Sequence, residues 1–444
     1  MLRCAILAQF AFACFLGCVC APAHAQWEIR VWHAMSGAQA TELEDLAQRF
    51  NAQQKEFRVV LTYKGSPEET LAATLATQRR GLRALLPHAA PPHVVQIQET
   101  GSAEMLSRRG LTVPLWQILQ DAGERIEGYL PPVEAPFSDA QGRLLALPFN
   151  AATPVLYYNR DALRSAKLVP PRTWEEMPAV LDALAKEGYG CAYTTAYPSW
   201  VLLENMSAWH DQRFATRHNG MSGGEARLAF NSRLMVRWIS TLSTWRQSGY
   251  FMYWGRGDEA ETRFALGHCA LLTSSSASYA ALRGRAGFDL GVAQLPYYSD
   301  FDDAPQNTLA ASAALWVLAG KPRIEYVGVA RFFAFLAQPG VQAAWTQKTG
   351  EIPLTYAAYE LMRKQGFYAA NPAQEVAVLQ VLGKLPTDDS RGIRLGQFPR
   401  IRGIINEELE QVWGGRKSAL DALNAAVARG NAVLDDLEKA DGGQ

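Results

Sequence analysis

Residues 27–97 alternate between two hydrophobic periods, and that alternation restricts the chain to few architectures. Trp27-Glu28-Ile29-Arg30-Val31-Trp32-His33 sets apolar and polar residues in turn, the period-two pattern of a half-buried strand. Ser36-Gly37 interrupts it, after which Leu43, Leu46 and Phe50 fall on one helical face. Phe57–Tyr63 reads as the next strand and His93–Ile97 as a third. Strands alternating with helices imply an α/β fold with a largely parallel sheet. Ligands of such sheets bind beyond the carboxyl ends of the strands, at loops and helix starts.

The pattern reopens further on. Leu144–Asn150 reads as an extended crossing, followed by Thr153–Asn159. A helix is expected from Thr173, with Thr173 and Glu176 as a capping box and Trp174, Met177, Leu181 and Leu184 on one face. A second α/β unit opens there. Helical patterns continue through 323–347 and 403–438, the latter with Leu409, Val412 and Trp413. The stretch between Gln78 and Pro92, rich in Arg, Ala and Pro, reads as a surface excursion without function.

The first 25 residues resemble an export leader: a basic Met1-Leu2-Arg3, an apolar run from Cys4 to Cys20, and Ala23-His24-Ala25 as a peptidase site before Gln26. The apolar run falls short of the roughly 20 residues that span a bilayer. Phe15-Leu16-Gly17-Cys18 offers a weaker lipidation reading. A soluble periplasmic product is expected. Four cysteines lie in the leader, and Cys191 and Cys269 remain, free or joined as one disulfide. Roughly 420 residues are too many for one ordinary core, so two domains are expected. Without Arg3 the chain carries 42 basic and 43 acidic residues, so it has no electrostatic reason to seek nucleic acid or an anionic membrane.

Enzymatic signatures are missing. His33, His88, His93, His210, His218 and His268 form no HExxH-like spacing, so no metal is expected; His33, at a strand end, reads as structural. There is no G-x-S-x-G elbow, P-loop or G-x-G-x-x-G after a strand, and no cofactor is implied. Ser274-Ser275-Ser276 reads as a hydroxyl-rich strand exit, either an ordinary turn or a set of donors for an anion or hydroxylated ligand. Glu99 closes a strand as a candidate acid with no partner nominated. Arg391, Arg394, Arg400 and Arg402 cluster in a Gly-containing segment, either solvated or supplying a planar fork for phosphate. The 12 Trp and 16 Tyr suit a core, or a carbohydrate or polyol cleft.

The ordered blocks VWHAMSG, LAQRFN, TYKG, LPFNAATPVLYYN, LLENMSAW, DAPQN, WTQKTGEIP, GFYAANP and IRLGQFPRIRGIINEELEQVW resemble the extracellular solute-binding protein family that includes maltose-binding protein, over about Trp27 to Leu437. Within it they look closest to the members that carry sn-glycerol 3-phosphate to an ABC importer. The resemblance implies a type II periplasmic-binding-protein fold of two α/β lobes joined by three hinge crossings, one lobe at 26–150 and 293–350, the other at 151–292 and 351–444. It also implies a monomer that delivers its ligand to permease subunits with an associated ATPase.

Carried over by position, the family's ligand contacts match at Glu99, for glycerol hydroxyls, at Ser275, for a phosphate oxygen, and at Arg402, as a fork on the phosphate. Trp200 would wall the cleft. Four contact positions depart: Pro67 and Glu351 stand where the family has tyrosines, Ala152 where it has serine, and Ser312 where it has glycine. Glu351 either points to solvent, with Ser312 replacing a lost donor, or meets a cationic head group on a changed ligand. The leading reading is capture of glycerol 3-phosphate or a glycerophosphodiester. A binder of another polyol, sugar or phosphodiester comes second, and a secreted hydrolase of phosphoesters or glycosides third.

Overall fold

The computed structural model describes residues 26–77 and 91–442. The expected leader, His88 and nearly all of the 78–92 excursion lie outside the described residues. Trp27–His33 forms β1, helix Gly37–Gln53 leads to β2 at Phe57–Tyr63, and helix Pro67–Ala76 precedes β3 at Val94–Gln98. β1 pairs in parallel with β2, from Trp27↔Phe57 to His33↔Tyr63, and with β3 through Val31↔Val94. Leu43, Leu46 and Phe50 are buried, as their spacing requires.

The remaining strands are β4 (Leu147–Ala152), β5 (Pro154–Asn159), β6 (Tyr193–Thr195), β7 (Phe251–Met252), β8 (Leu271–Ser275), β9 (Leu290–Ala293) and β10 (Ala311–Val317). They complete two sheets, ordered β2-β1-β3-β10-β4 and β7-β6-β8-β5-β9. β10 runs antiparallel to both of its neighbours, and so does β5. Both sheets therefore share one plan: the reversed strand is the fourth, and it is the strand by which the chain arrives from the other sheet.

Only Thr153 separates β4 from β5, and the return passage lies between Ala293 and Ala311. The two passages touch. Thr153 Oγ1 donates to Leu309 O at 3.0 Å and lies 2.6 Å from Thr308 Oγ1. Gln380, on helix Pro372–Val381, braces both: its amide donates to Pro154 O at 2.7 Å and Thr308 Oγ1 at 3.1 Å, and accepts from Leu295 N at 2.7 Å. The expected divisions at 150/151, 292/293 and 350/351 all fall early: Ala151 and Ala152 still belong to β4 and Ala293 to β9. Ile352 N still donates to Ala151 O at 3.0 Å, and Leu130 N to Leu354 O at 2.8 Å, before helices lead the chain away.

Three helical expectations change. Thr173 bridges to Tyr297 in extended form, so the helix starts at Met177; Glu176 still accepts from the Arg172 and Thr173 amides ahead of it. The 323–347 pattern divides into Arg323–Leu336 and Pro339–Thr349, because Pro339 has no N–H to donate and holds Gln338 extended. The 403–438 pattern divides into Phe398–Trp413 and Ala419–Gly442 at Gly414-Gly415.

Two large apolar clusters form the core, one reaching from Ile29 and Phe57 beside the first sheet to Tyr157 and Leu272 in the second, the other around Trp238. In the first, helix Arg323–Leu336 lies so close on the sheet that a Cβ at Gly328 would come within 2.4 Å of the Phe57 ring. In the second, Trp174 and Trp238 rings pack 4.2 Å apart beside Tyr193 and Trp245. Most tryptophans thus serve packing. Cys191 and Cys269 form a disulfide, with α-carbons 4.6 Å apart, at the starts of the adjacent parallel strands β6 and β8.

Candidate functional site

A cavity of about 720 Å³ lies between the lobes, and all eight positions named from sequence line it. Pro67, Glu99, Ala152, Ser312 and Glu351 come from the first lobe; Trp200, Ser275 and Arg402 come from the second. Strand ends deliver most of them. Glu99 directly follows β3, Ala152 ends β4, Ser275 ends β8, and Ser312 lies in β10 beside Ala151. Pro67 occupies the first turn of its helix, where a missing N–H costs nothing. Ser66 Oγ accepts from Glu69 N at 3.2 Å while the Glu69 carboxylate accepts from Ser66 N at 2.7 Å.

Arg402 is not the free fork expected for a phosphate. Its Nε and Nη2 donate to Glu204 at 2.8 and 2.6 Å, and Nη2 reaches Glu99 across the cleft at 3.3 Å. Burial works against its charge, but Glu204 and then Glu99 outweigh that and raise its pKa. Glu99 is pushed up, first by burial and also by repulsion from Glu204, while Arg402 opposes the rise. Its second oxygen accepts from Ser312 N at 3.1 Å. Nothing in the strand or helix periodicity nominated Glu204, which is 1 % exposed. The available signal was an acid inside the apolar run Trp200–Met206, which folds as a π-helical turn over Ser199–Glu204 and puts the carboxylate under Arg402.

Glu351 does not point to solvent. It is 4 % exposed, and its carboxylate accepts from Trp345 Nε1 at 2.8 Å, Asn150 Nδ2 at 3.2 Å and the Gln39 amide. Burial raises its pKa to about 7 against these three hydrogen bonds. Gln39 and Asn150 are first-lobe lining residues that the sequence reading missed. Ser312 Oγ is buried beside them with no partner among the described residues. The lining carboxylates Glu68, Glu99, Asp258, Glu261 and Glu351 outnumber Arg256, Arg285 and Arg402, and all three cations lie on the second lobe.

The hydroxyl-rich strand exit divides its tasks. Ser274 Oγ donates to Glu261 at 2.5 Å, Ser275 lines the cavity, and Ser276 Oγ accepts from Thr153 N at 3.2 Å at the crossing. Tyr197 stands 6.3 Å from Trp200 as a second aromatic wall. The arginine cluster disperses: Arg394 donates to Pro136 O and Ser138 O, Arg391 pairs with Asp388, and Arg400 is exposed. His33 is buried outside the cavity lining, and burial lowers its pKa. Among the described residues no group of His, Cys, Asp and Glu is arranged to hold a metal, and no helix is long and apolar enough to cross a membrane.

A family model described as bacterial extracellular solute-binding protein matches residues 45–376. The chain is 42 % identical to the sn-glycerol-3-phosphate-binding periplasmic protein UgpB of Yersinia enterocolitica, over 94 % of this chain and 95 % of that protein. The namesake from Escherichia coli matches at 42 % identity with the same coverage. Among solved structures, UgpB from Mycobacterium tuberculosis in complex with glycerophosphocholine superposes with TM-score 0.75 at 21 % identity, covering 93 % of this chain and 100 % of that one. The maltose/maltodextrin-binding domain MalE from Bdellovibrio bacteriovorus superposes with TM-score 0.68 at 16 % identity, covering 92 % and 100 %. These likenesses fix the two-lobed type II binding-protein fold. With both its sequence and its inter-lobe cleft accounted for, the chain belongs to the bacterial extracellular solute-binding proteins.

Proposed function

We propose that this chain is the periplasmic solute-capturing component of an ABC importer, that its cleft takes sn-glycerol 3-phosphate or a glycerophosphodiester, and that it catalyses no reaction. The observation that carries the reading is convergence: eight positions scattered from residue 67 to residue 402 line one inter-lobe cavity. The names of the relatives at 42 % identity support the ligand class. Glu99 accepts hydroxyl hydrogens, Ser275 donates to the phosphate, and Arg402 offers its one unengaged nitrogen, Nη1. Closure of the lobes dries these contacts, so a few polar groups give useful affinity. The leader is removed before Gln26, and the monomer then delivers its ligand to permease subunits served by an ATPase.

The test is calorimetric titration of refolded, ligand-stripped mature protein with sn-glycerol 3-phosphate, glycerophosphocholine and maltose. Micromolar or tighter binding of the phosphate compounds supports the reading. Binding of maltose alone sinks it. Turnover of a chromogenic phosphodiester, abolished by Glu99→Gln, would overturn the non-enzymatic assignment.

A second reading is favoured by one observation: among the described residues, the first-lobe wall carries Glu68, Glu99 and Glu351 and no cation. A phosphodiester with a cationic head group would set that head group against Glu351. The cavity lies within the roughly 300–1,000 Å³ of sites for drug-sized ligands, so a diester has room. Glycerophosphocholine then binds more tightly than sn-glycerol 3-phosphate, and Glu351→Gln narrows the gap.

A further inference from the structure

We infer that Glu204 is a positioning residue that fixes Arg402 and makes the cleft take a phosphoryl group carrying one negative charge, not two. This rests on the phosphate-ligand reading above. Glu204 holds Nε and Nη2 of Arg402, while Ser199 Oγ donates to Glu204 at 3.2 Å from within the same π-helical turn. The Phe398 ring lies 5.0 Å from the guanidinium carbon. The guanidinium therefore cannot swing to present a two-pronged face to a ligand. Nη1 is the nitrogen left over, a single prong.

Charge gives the second half of the argument. Arg402 is one cation between two carboxylates, Glu99 from the end of β3 and Glu204 from beneath, so the trio as ionised carries a net negative charge. Among the described residues, Arg391 is the further cation lining the small void behind the trio, and it is paired with Asp388. Arg256 and Arg285 line the cavity elsewhere, opposed by Asp258, Glu261, Glu68 and Glu351, and Arg256 is held by Glu410. A phosphodiester is a monoanion at any neutral pH. A phosphomonoester loses its second proton near pH 6 and is close to a dianion at pH 7. The monoester fits this setting in its protonated form.

The experiment compares sn-glycerol 3-phosphate with glycerophosphoglycerol, a diester without a cationic head group, on the whole ligand-stripped mature chain from pH 5.5 to 8. Glu351 lines the same cavity and titrates near pH 7, so the comparison is repeated in Glu351→Gln, where that titration is absent and the monoester-to-diester difference is expected to persist. The expected result is that monoester affinity falls about tenfold relative to the diester between pH 6 and 7.5, following the ligand's second pKa. Glu204→Gln keeps an oxygen to hold Arg402 and removes the charge. It is expected to cut that tenfold difference to about threefold or less, raising monoester affinity at pH 7.5.

Parallel pH profiles for the two ligands in the wild-type protein overturn the inference and leave the phosphate-ligand reading standing. An equal loss of both affinities in Glu204→Gln also overturns it, because a merely structural Glu204 would act that way. Should that variant fail to fold, the wild-type comparison alone decides. Binding of neither ligand overturns the inference together with the reading on which it rests.

Discussion

Glu351 accepts the indole N–H of Trp345 at 2.8 Å, six residues away across the end of helix Pro339–Thr349. A buried carboxyl held this way titrates near pH 7, against an ordinary value of 4.5. Between those values the folded chain holds a proton that the unfolded chain has released. This contribution is therefore fully present below about pH 4.5 and is lost as pH rises through about 7, at roughly 3 kcal/mol. Urea unfolding of wild type and Glu351→Gln from pH 5 to 8 isolates it. The stability difference between them shrinks or reverses by that order as pH rises, and a pH-independent difference would refute the assignment.

Arg402→Ala removes the one cation between Glu99 and Glu204. Affinity for sn-glycerol 3-phosphate is expected to fall at least about 100-fold, and stability by about 3 kcal/mol, because two buried carboxylates lose their partner. The double variant Glu204→Gln, Arg402→Met recovers most of the stability and none of the binding. Calorimetric titration and urea unfolding read the two effects separately; retained affinity in Arg402→Ala would remove this residue from the site.

Gln380 ties the two inter-lobe passages together through Pro154 O, Leu295 N and Thr308 Oγ1. Gln380→Leu keeps the volume and strands buried polar groups. A loss of about 2 kcal/mol or more is expected in urea unfolding. Loss below about 0.5 kcal/mol would mean that the passages hold without this brace.

The Cys191–Cys269 disulfide closes a loop across a sequence separation of 78 residues. Replacing both by serine, or adding reductant, is expected to lower stability by about 4.5 kcal/mol in the chain-entropy account. Thiol counting by mass spectrometry under denaturation checks the bond itself, and two free thiols in exported protein would contradict it.

Local patterning carried the α/β character a long way. The alternation in Trp27–His33 and the face formed by Leu43, Leu46 and Phe50 are consequences of periods 2 and 3.6, which the sequence states directly. Helix breaks were less legible. Pro339 and Gly414-Gly415 stood in view inside apolar patterns that continued past them, and the pattern concealed the break. Thr173 has a capping residue's chemistry, but its pairing with Tyr297, 124 positions away, keeps it extended.

The sequence alone determined which residue types stand at the cleft positions and, through the ordered blocks, the family fold in which they meet. Only the tertiary structure decided what those side chains do. Glu351 is buried and not solvated because Gln39, Asn150 and Trp345 converge on it from three separate segments. Arg402 is already engaged because a π-helical turn nearly 200 residues earlier puts Glu204 beneath it. Charge and burial depend on distance through space, and the spacing of residues along a chain does not encode that distance.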